Sequence, residues 1–219
     1  MRIAAIDVGI VNCGFCVVSS QEECHPSLQG LCDQIETEDI ILEEWSLVQL
    51  GSSKNASTLS TYERVIEFLK TSKEVFERTD VVVIETQMTA RMKSLSACFY
   101  ASLRCLFPKA RVLFQSASLK LNFADVASFL EQQPSCPLAT YAQRKKTAVS
   151  ITKKLVSGPL PPRLAVIFAK SKKKDDLSDA LLHALAGLCV HSQHRCPEAK
   201  AKPKAKSRAQ SMDDVGAST

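Results

Sequence analysis

The run Val81-Val82-Val83-Ile84-Glu85 decides the fold class. Four consecutive β-branched residues leave no polar face, so the strand they form must be covered on both sides. That is the position of a central strand in an α/β sheet. Asp80 and Glu85 bound the run, which ends on a carboxylate. Toward the N-terminus, Ser57 to Arg78 places Leu59, Tyr62, Ile66, Leu69 and Phe76 at three-and-four spacing, which predicts an amphipathic helix. Toward the C-terminus, Arg91 to Phe107 reads as a helix stopped at Pro108, and Arg111 to Gln115 as another buried strand.

Further out, Arg2 to Asp7 and Asn12 to Ser19 are apolar runs separated by Val8-Gly9-Ile10-Val11, a hairpin pattern. The acidic Ser20 to Asp39 stretch shows little periodicity and reads as an insertion or long loop before a third strand, Ile40 to Leu50. Leu119 to Pro137 is ambiguous, and Tyr141 to Ser157 is a basic helix. After the break at Pro159, Pro161 and Pro162, Leu164 to Ala169 leads into Ser171 to Asp176. The final helix carries one apolar stripe of Leu177, Ala180, Leu181, Ala184, Leu185 and Leu188. No internal repeat is visible. The expectation is one domain over residues 1–193 and a basic, disordered tail over 194–219, where Lys, Ala, Pro, Ser and Gln replace branched and aromatic residues.

At 219 residues with 45% hydrophobic and 23% charged composition, the chain can bury a core. No stretch reaches the ~18 to 20 apolar residues of a membrane span, and Asp7 interrupts the apolar N-terminus where a signal peptide would stay clean. No membrane partner is expected. The nine cysteines are odd in number and scattered, which fits reduced thiols in an intracellular compartment. Seven glycines are few for a protein built around phosphate-cradling loops, and no small-molecule substrate is expected. Charge is segregated along the chain. Ser19 to Leu47 holds eight acids and no Lys or Arg, whereas Thr86 to Lys154 holds eleven basic residues against Asp125 and Glu131. The basic half points to a polyanion, because neutralised phosphates release counterions and supply affinity.

Asp7 and Glu85 each end a predicted strand, and Asp176 and Asp179 sit three apart on the first turn of the last helix, sharing one face. Four carboxylates from three segments repel one another unless a divalent cation holds them. Hard oxygen donors suit Mg²⁺, with Mn²⁺ able to substitute. Two such ions can clamp the attacking and leaving oxygens of a phosphodiester. Taken singly, each acid has a bland reading: a helix cap for Asp175 or Asp176, an ion pair with Arg91 for Glu85, a turn for Asp7. Their joint occurrence carries the weight.

Ile6-Asp7-Val8-Gly9-Ile10-Val11-Asn12, then Ile84-Glu85-Thr86-Gln87, then Tyr141-Ala142-Gln143-Arg144-Lys145-Lys146, and finally Lys173-Lys174-Asp175-Asp176-Leu177-Ser178-Asp179-Ala180 occur in the order found in RuvC-like Holliday junction resolvases. The sequence most resembles the poxvirus and iridovirus branch, over roughly Met1 to Val190. The resemblance implies an α/β, RNase H-like fold with a mixed five-stranded sheet flanked by helices. It implies a homodimer acting on branched DNA in recombination and repair, with Asp7, Glu85, Asp176 and Asp179 as catalytic metal ligands. A viral source would place it where viral DNA replicates, in host cytoplasm or nucleus. Arg91, Lys93, Arg144, Lys145, Lys146, Lys172, Lys173 and Lys174 are the expected DNA contacts, and Met92, Leu95, Phe99, Leu103 and Leu106 the expected dimer face.

Asp7-x-Gly9 before a hairpin also opens actin-like and sugar-kinase ATPases, but a second glycine-bearing phosphate loop and the longer chain are missing. A non-cleaving nucleic-acid-binding relative, and a nuclease of the same fold with hybrid or broader branched substrates, stay open. Cys13-x-x-Cys16 lies within a strand and reads as core thiols. Cys189, His191, His194 and Cys196 have metal-ligand types, but where a helix frays into the tail. His183 shares the face of Asp176 and Asp179, with contact to the metal site or a place lining the cleft as its two readings, the second preferred. Phe99 and Tyr100 are read as core or dimer residues before base-stacking ones.

Overall fold

The computed structural model describes residues 1–53, 55–130 and 140–192. β1 (Arg2–Asp7), β2 (Asn12–Ser20) and β3 (Ile40–Gln49) pair antiparallel in chain order. β4 (Val81–Glu85) joins the other side of β1 in parallel, and β5 (Arg111–Gln115) joins β4 in parallel. The result is one mixed five-stranded sheet, β3-β2-β1-β4-β5, with β4 buried along its whole length as its composition requires. Gly9 makes the β1–β2 turn possible, since a Cβ there would lie 2.0 Å from the Asn12 carbonyl oxygen.

Residues alternate between two apolar layers. Ala4, Ile6, Val82 and Ile84 face α2 (Thr58–Thr71), α3 (Lys73–Glu77) and α4 (Ala90–Leu106), around the rings of Phe15, Phe68, Phe76 and Phe99. Ile3, Ala5, Val81 and Val83 face α1 (Leu28–Glu36), α6 (Tyr141–Ser157), α7 (Pro162–Lys170) and α8 (Lys174–Ser192). A 3-10 turn at Leu119–Leu121 and the short α5 (Val126–Phe129) occupy the described part of the ambiguous region, and residues 131–137 lie outside the described residues.

Three expectations need correction. The acidic segment is not a loop: α1 buries Leu28, Leu31, Cys32 and Ile35 at helical spacing and turns its acids outward. Its first turn is held by Ser27, which accepts from Gly30 N at 3.1 Å, and by Asp125, which accepts from Leu28 N at 2.6 Å and Gln29 N at 2.9 Å. The helix expected over 57–78 is broken at Ser72 and buries Val65, Phe68 and Leu69, leaving Leu59 and Ile66 exposed. On α4, Leu95, Phe99 and Leu103 of the stripe expected as a dimer face are buried in the chain's own core, Met92 is half-buried, and Leu106 stays exposed. Cys13 and Cys16 fall in opposite layers, as strand alternation dictates. His194, Cys196 and the tail 194–219 lie outside the described residues. No helix among the described residues is long and apolar enough to cross a membrane.

Candidate active site at the ends of the parallel strands

Three strand ends lie level. Register pairs Ile6 with Ile84 and Glu85 with Gln115, so Asp7, Glu85 and Gln115 stand side by side at the C-terminal edge of β1, β4 and β5. Alternation turns all three toward the layer that holds α8. The first turns of α8 approach closely because β2 offers Gly14 there, in register with Asp7. A Cβ on Gly14 would lie 2.4 Å from the Asp176 carbonyl oxygen and 3.0 Å from Ala180 Cβ. Trp45 Nε1 on β3 donates to the Leu177 carbonyl at 2.9 Å, holding the same turn. Asp176, Asp179 and His183 then fall on the face toward the strand ends.

The carboxyls of Asp7 and Glu85 are in hydrogen-bonding contact. Burial, the contact with Glu85 and the charges of Glu85 and Asp179 hold Asp7 well above the usual carboxylate range. Glu85 goes the other way: burial opposes ionisation, but hydrogen bonds with Asp7 and His183 and the charge of Lys120 hold it low. Burial raises Asp179, with Lys120 opposing, and raises Asp176, with the neighbouring Asp175 charge adding to it.

Lys120 sits inside this cluster. Its side chain is 8% exposed, with Nζ 2.8 Å from Asp179 Oδ2 and 3.3 Å from Glu85 Oε1. Burial works against its charge, and Asp179 and Glu85 restore it. His183 Nε2 faces Glu85 Oε1 at 3.4 Å. Gln115 Nε2 donates to His183 Nδ1 at 2.9 Å and to the His183 carbonyl at 3.2 Å, which leaves the proton of a neutral ring on Nε2, toward Glu85. His183 therefore packs on a site acid instead of merely lining the cleft. The sequence reading missed Lys120 and Gln115; a lysine between Leu119 and Leu121 in an apolar stretch was the one signal available.

The donor set fits a hard divalent cation. It is all carboxylate oxygen, and Asp179 Oδ1 is buried with no hydrogen-bond partner. Among the described residues, no three His, Cys, Asp or Glu are already drawn into one ligand group; the Lys120 ammonium occupies Glu85 and Asp179. Glu85 pairs with Lys120, and Arg91 instead donates to the Ala56 carbonyl.

The basic residues divide. Lys145 Nζ meets Asp175 Oδ2 at 2.6 Å, which ties α6, carrying Arg144 and Lys146, to the first turn of α8, just after Lys172 and Lys173. Arg144, Lys146, Lys172 and Lys173 are exposed. Lys174 is not on that rim: Nζ caps α7, donating to the carbonyls of Ala169 at 3.0 Å and Ser171 at 2.8 Å. Arg91 and Lys93 belong to α4, on the opposite layer, where Arg91 lines a cleft with Ile10 and Tyr62. Phe99 is fully buried and unavailable to bases, while Tyr100 stacks on Phe114 at 5.5 Å.

A mixed sheet in this order, with acids at the ends of β1 and β4 and on a helix packed across them, is the RNase H-like architecture. No protein-family model and no curated protein matches the sequence. Among solved structures, a fowlpox virus resolvase in complex with its substrate Holliday junction DNA aligns with TM-score 0.54 and 17% identity, covering 86% of this chain and 97% of that one. A fowlpox virus Holliday junction resolvase structure aligns with TM-score 0.53 and 16% identity, over 86% and 98% of the two chains. A Thermus thermophilus RuvC structure aligns with TM-score 0.48 and 15% identity, over 85% and 95%. The two fowlpox virus alignments meet the resemblance read from the motifs at the level of fold.

Proposed function

We propose that the protein is a divalent-metal-dependent endonuclease that resolves four-way DNA junctions by paired symmetric nicks, in DNA recombination and repair. The observation that carries this is the convergence of Asp7, Glu85, Asp176 and Asp179 at one edge of an RNase H-like sheet, with an unpartnered buried oxygen on Asp179. These four carboxylates would hold Mg²⁺, or Mn²⁺ in its place. Such a cation would supply Lewis-acid stabilisation of the charge that develops in phosphodiester hydrolysis. The chain's own residues do the rest. The exposed Arg144, Lys146, Lys172 and Lys173 take backbone phosphates beside the acids. Lys120, which now pairs with Glu85 and Asp179, would yield those oxygens to a cation and keep its ammonium beside the acids as a positive partner for a phosphate. Gln115 fixes His183, and His183 fixes Glu85.

The fold is shared with nucleases of other substrates, so the substrate must be tested directly. One gel comparing four-way junction, flap, linear duplex and RNA–DNA hybrid in Mg²⁺ should show paired nicks near the branch point of the junction, the other substrates being largely spared. Asp7→Asn should lose cleavage by orders of magnitude and keep junction binding. Preference for the hybrid would overturn the junction reading, and undiminished cleavage by Asp7→Asn would overturn the site.

A further inference from the structure

Two adjacent carboxylates open α8, and they face different neighbours. Asp176 shares the face of Asp179; Asp175 is turned roughly 100° from it, as 3.6 residues per turn requires. On α6, Lys145 lies between the two, with Nζ 2.6 Å from Asp175 Oδ2 and 4.0 Å from Asp176 Oδ1. Its ammonium also sits 5.3 Å from the centroid of the Tyr141 ring, so it is steered from both sides. The side chains of Lys145, Asp175 and Asp176 are 28%, 32% and 21% exposed, wet enough to reorganise without unfolding the helix.

We infer that Asp175 is a positioning residue, a clamp that keeps the Lys145 ammonium off Asp176 so that the Asp176 oxygens stay open to a cation. The inference rests on the metal-site reading above. A charge-assisted hydrogen bond at 2.6 Å is stronger than a 4.0 Å ion contact, so Lys145 stays on Asp175 while Asp175 is ionised. Remove that charge, and the nearest carboxylate left to Lys145 is Asp176. The ammonium then competes with the cation. Asp175 therefore matters to metal affinity without being a ligand, and the weakening on its removal runs chiefly through Lys145.

The test is Mn²⁺ binding by the metal-free full chain, measured by calorimetry and by electron paramagnetic resonance of the free ion. Wild type, Asp175→Asn, Asp175→Glu, Lys145→Met and the Asp175→Asn/Lys145→Met double variant are compared, each checked for folding by circular dichroism. Asp175→Asn should weaken Mn²⁺ by roughly fivefold, the size of one partly exposed charge pair. The double variant should return to wild-type affinity, and Asp175→Glu should stay near it. Complete loss in Asp175→Asn that Lys145→Met does not restore would make Asp175 a ligand and overturn the clamp. An unchanged affinity in Asp175→Asn would make it a bystander. A wild-type chain that binds no Mn²⁺ overturns the metal reading itself, and the clamp with it; the other two failures leave that reading standing.

Discussion

Asp7 illustrates what converging carboxylates do to one another before any cation arrives. Burial and the neighbouring Glu85 and Asp179 raise it well above its ordinary value, so the folded chain holds that proton more tightly than the unfolded chain does. The stability Asp7 contributes is complete below its unfolded value of about 3.9 and is lost as pH rises through the folded one. Asn mimics the protonated form. The metal-free Asp7→Asn protein should therefore melt higher than wild type at pH 7, and this gain should vanish by about pH 4. Mg²⁺ should reverse the order, since a ligand at 100 times its dissociation constant stabilises the binding-competent chain by about 2.7 kcal/mol. Scanning fluorimetry across pH, with EDTA or Mg²⁺, reads both. A variant less stable than metal-free wild type by the same margin at every pH would refute the account. Asp7, Glu85, Asp176 and Asp179 were legible because strand ends and helix spacing are written locally. Lys120 and Gln115 were not: their roles come from β5 lying beside β4 and from the turn folding back over α8, which no spacing in the sequence encodes.

At the scale of elements, the run Lys172-Lys173-Lys174 does two jobs that its composition does not distinguish. Lys172 and Lys173 are exposed before α8, whereas Lys174 satisfies the last carbonyls of α7 and lies 5.8 Å from the Phe168 ring centroid. Replacing Lys146, Lys172 and Lys173 by Ala should weaken junction binding and flatten its log–log salt dependence by about 2.7, at about 0.9 per phosphate contact. Lys174→Ala should leave that slope alone and cost about 1 kcal/mol of stability, as loss of a helix cap does. Fluorescence anisotropy at several salt concentrations separates the two; an unchanged slope in the triple variant would show the rim to be misplaced. The strands were readable from their β-branched runs and the long helices from their stripes. α1 was hidden because nine residues give a stripe only two turns long, and because Asp125, whose carboxylate holds its start, comes from far along the chain.

For the whole molecule, the proposed reaction sets a requirement that one chain does not meet. A four-way junction presents two symmetry-related strands, so paired nicks need two sites related by a two-fold axis. The chain should therefore be a dimer at micromolar concentration, with light scattering giving about twice the 24.0 kDa chain mass. The fold restricts where the partner sits. Leu95, Phe99 and Leu103 complete the core over β4, so Phe99→Ala should destabilise the chain by about 3 to 5 kcal/mol while leaving the mass of the folded protein unchanged. Release of folded monomers by the same substitution would instead place Phe99 in the interface. A strict monomer that still cuts both strands symmetrically would break the link between two-fold substrate and two-fold enzyme, and symmetric cleavage would then require two independent encounters with the same junction.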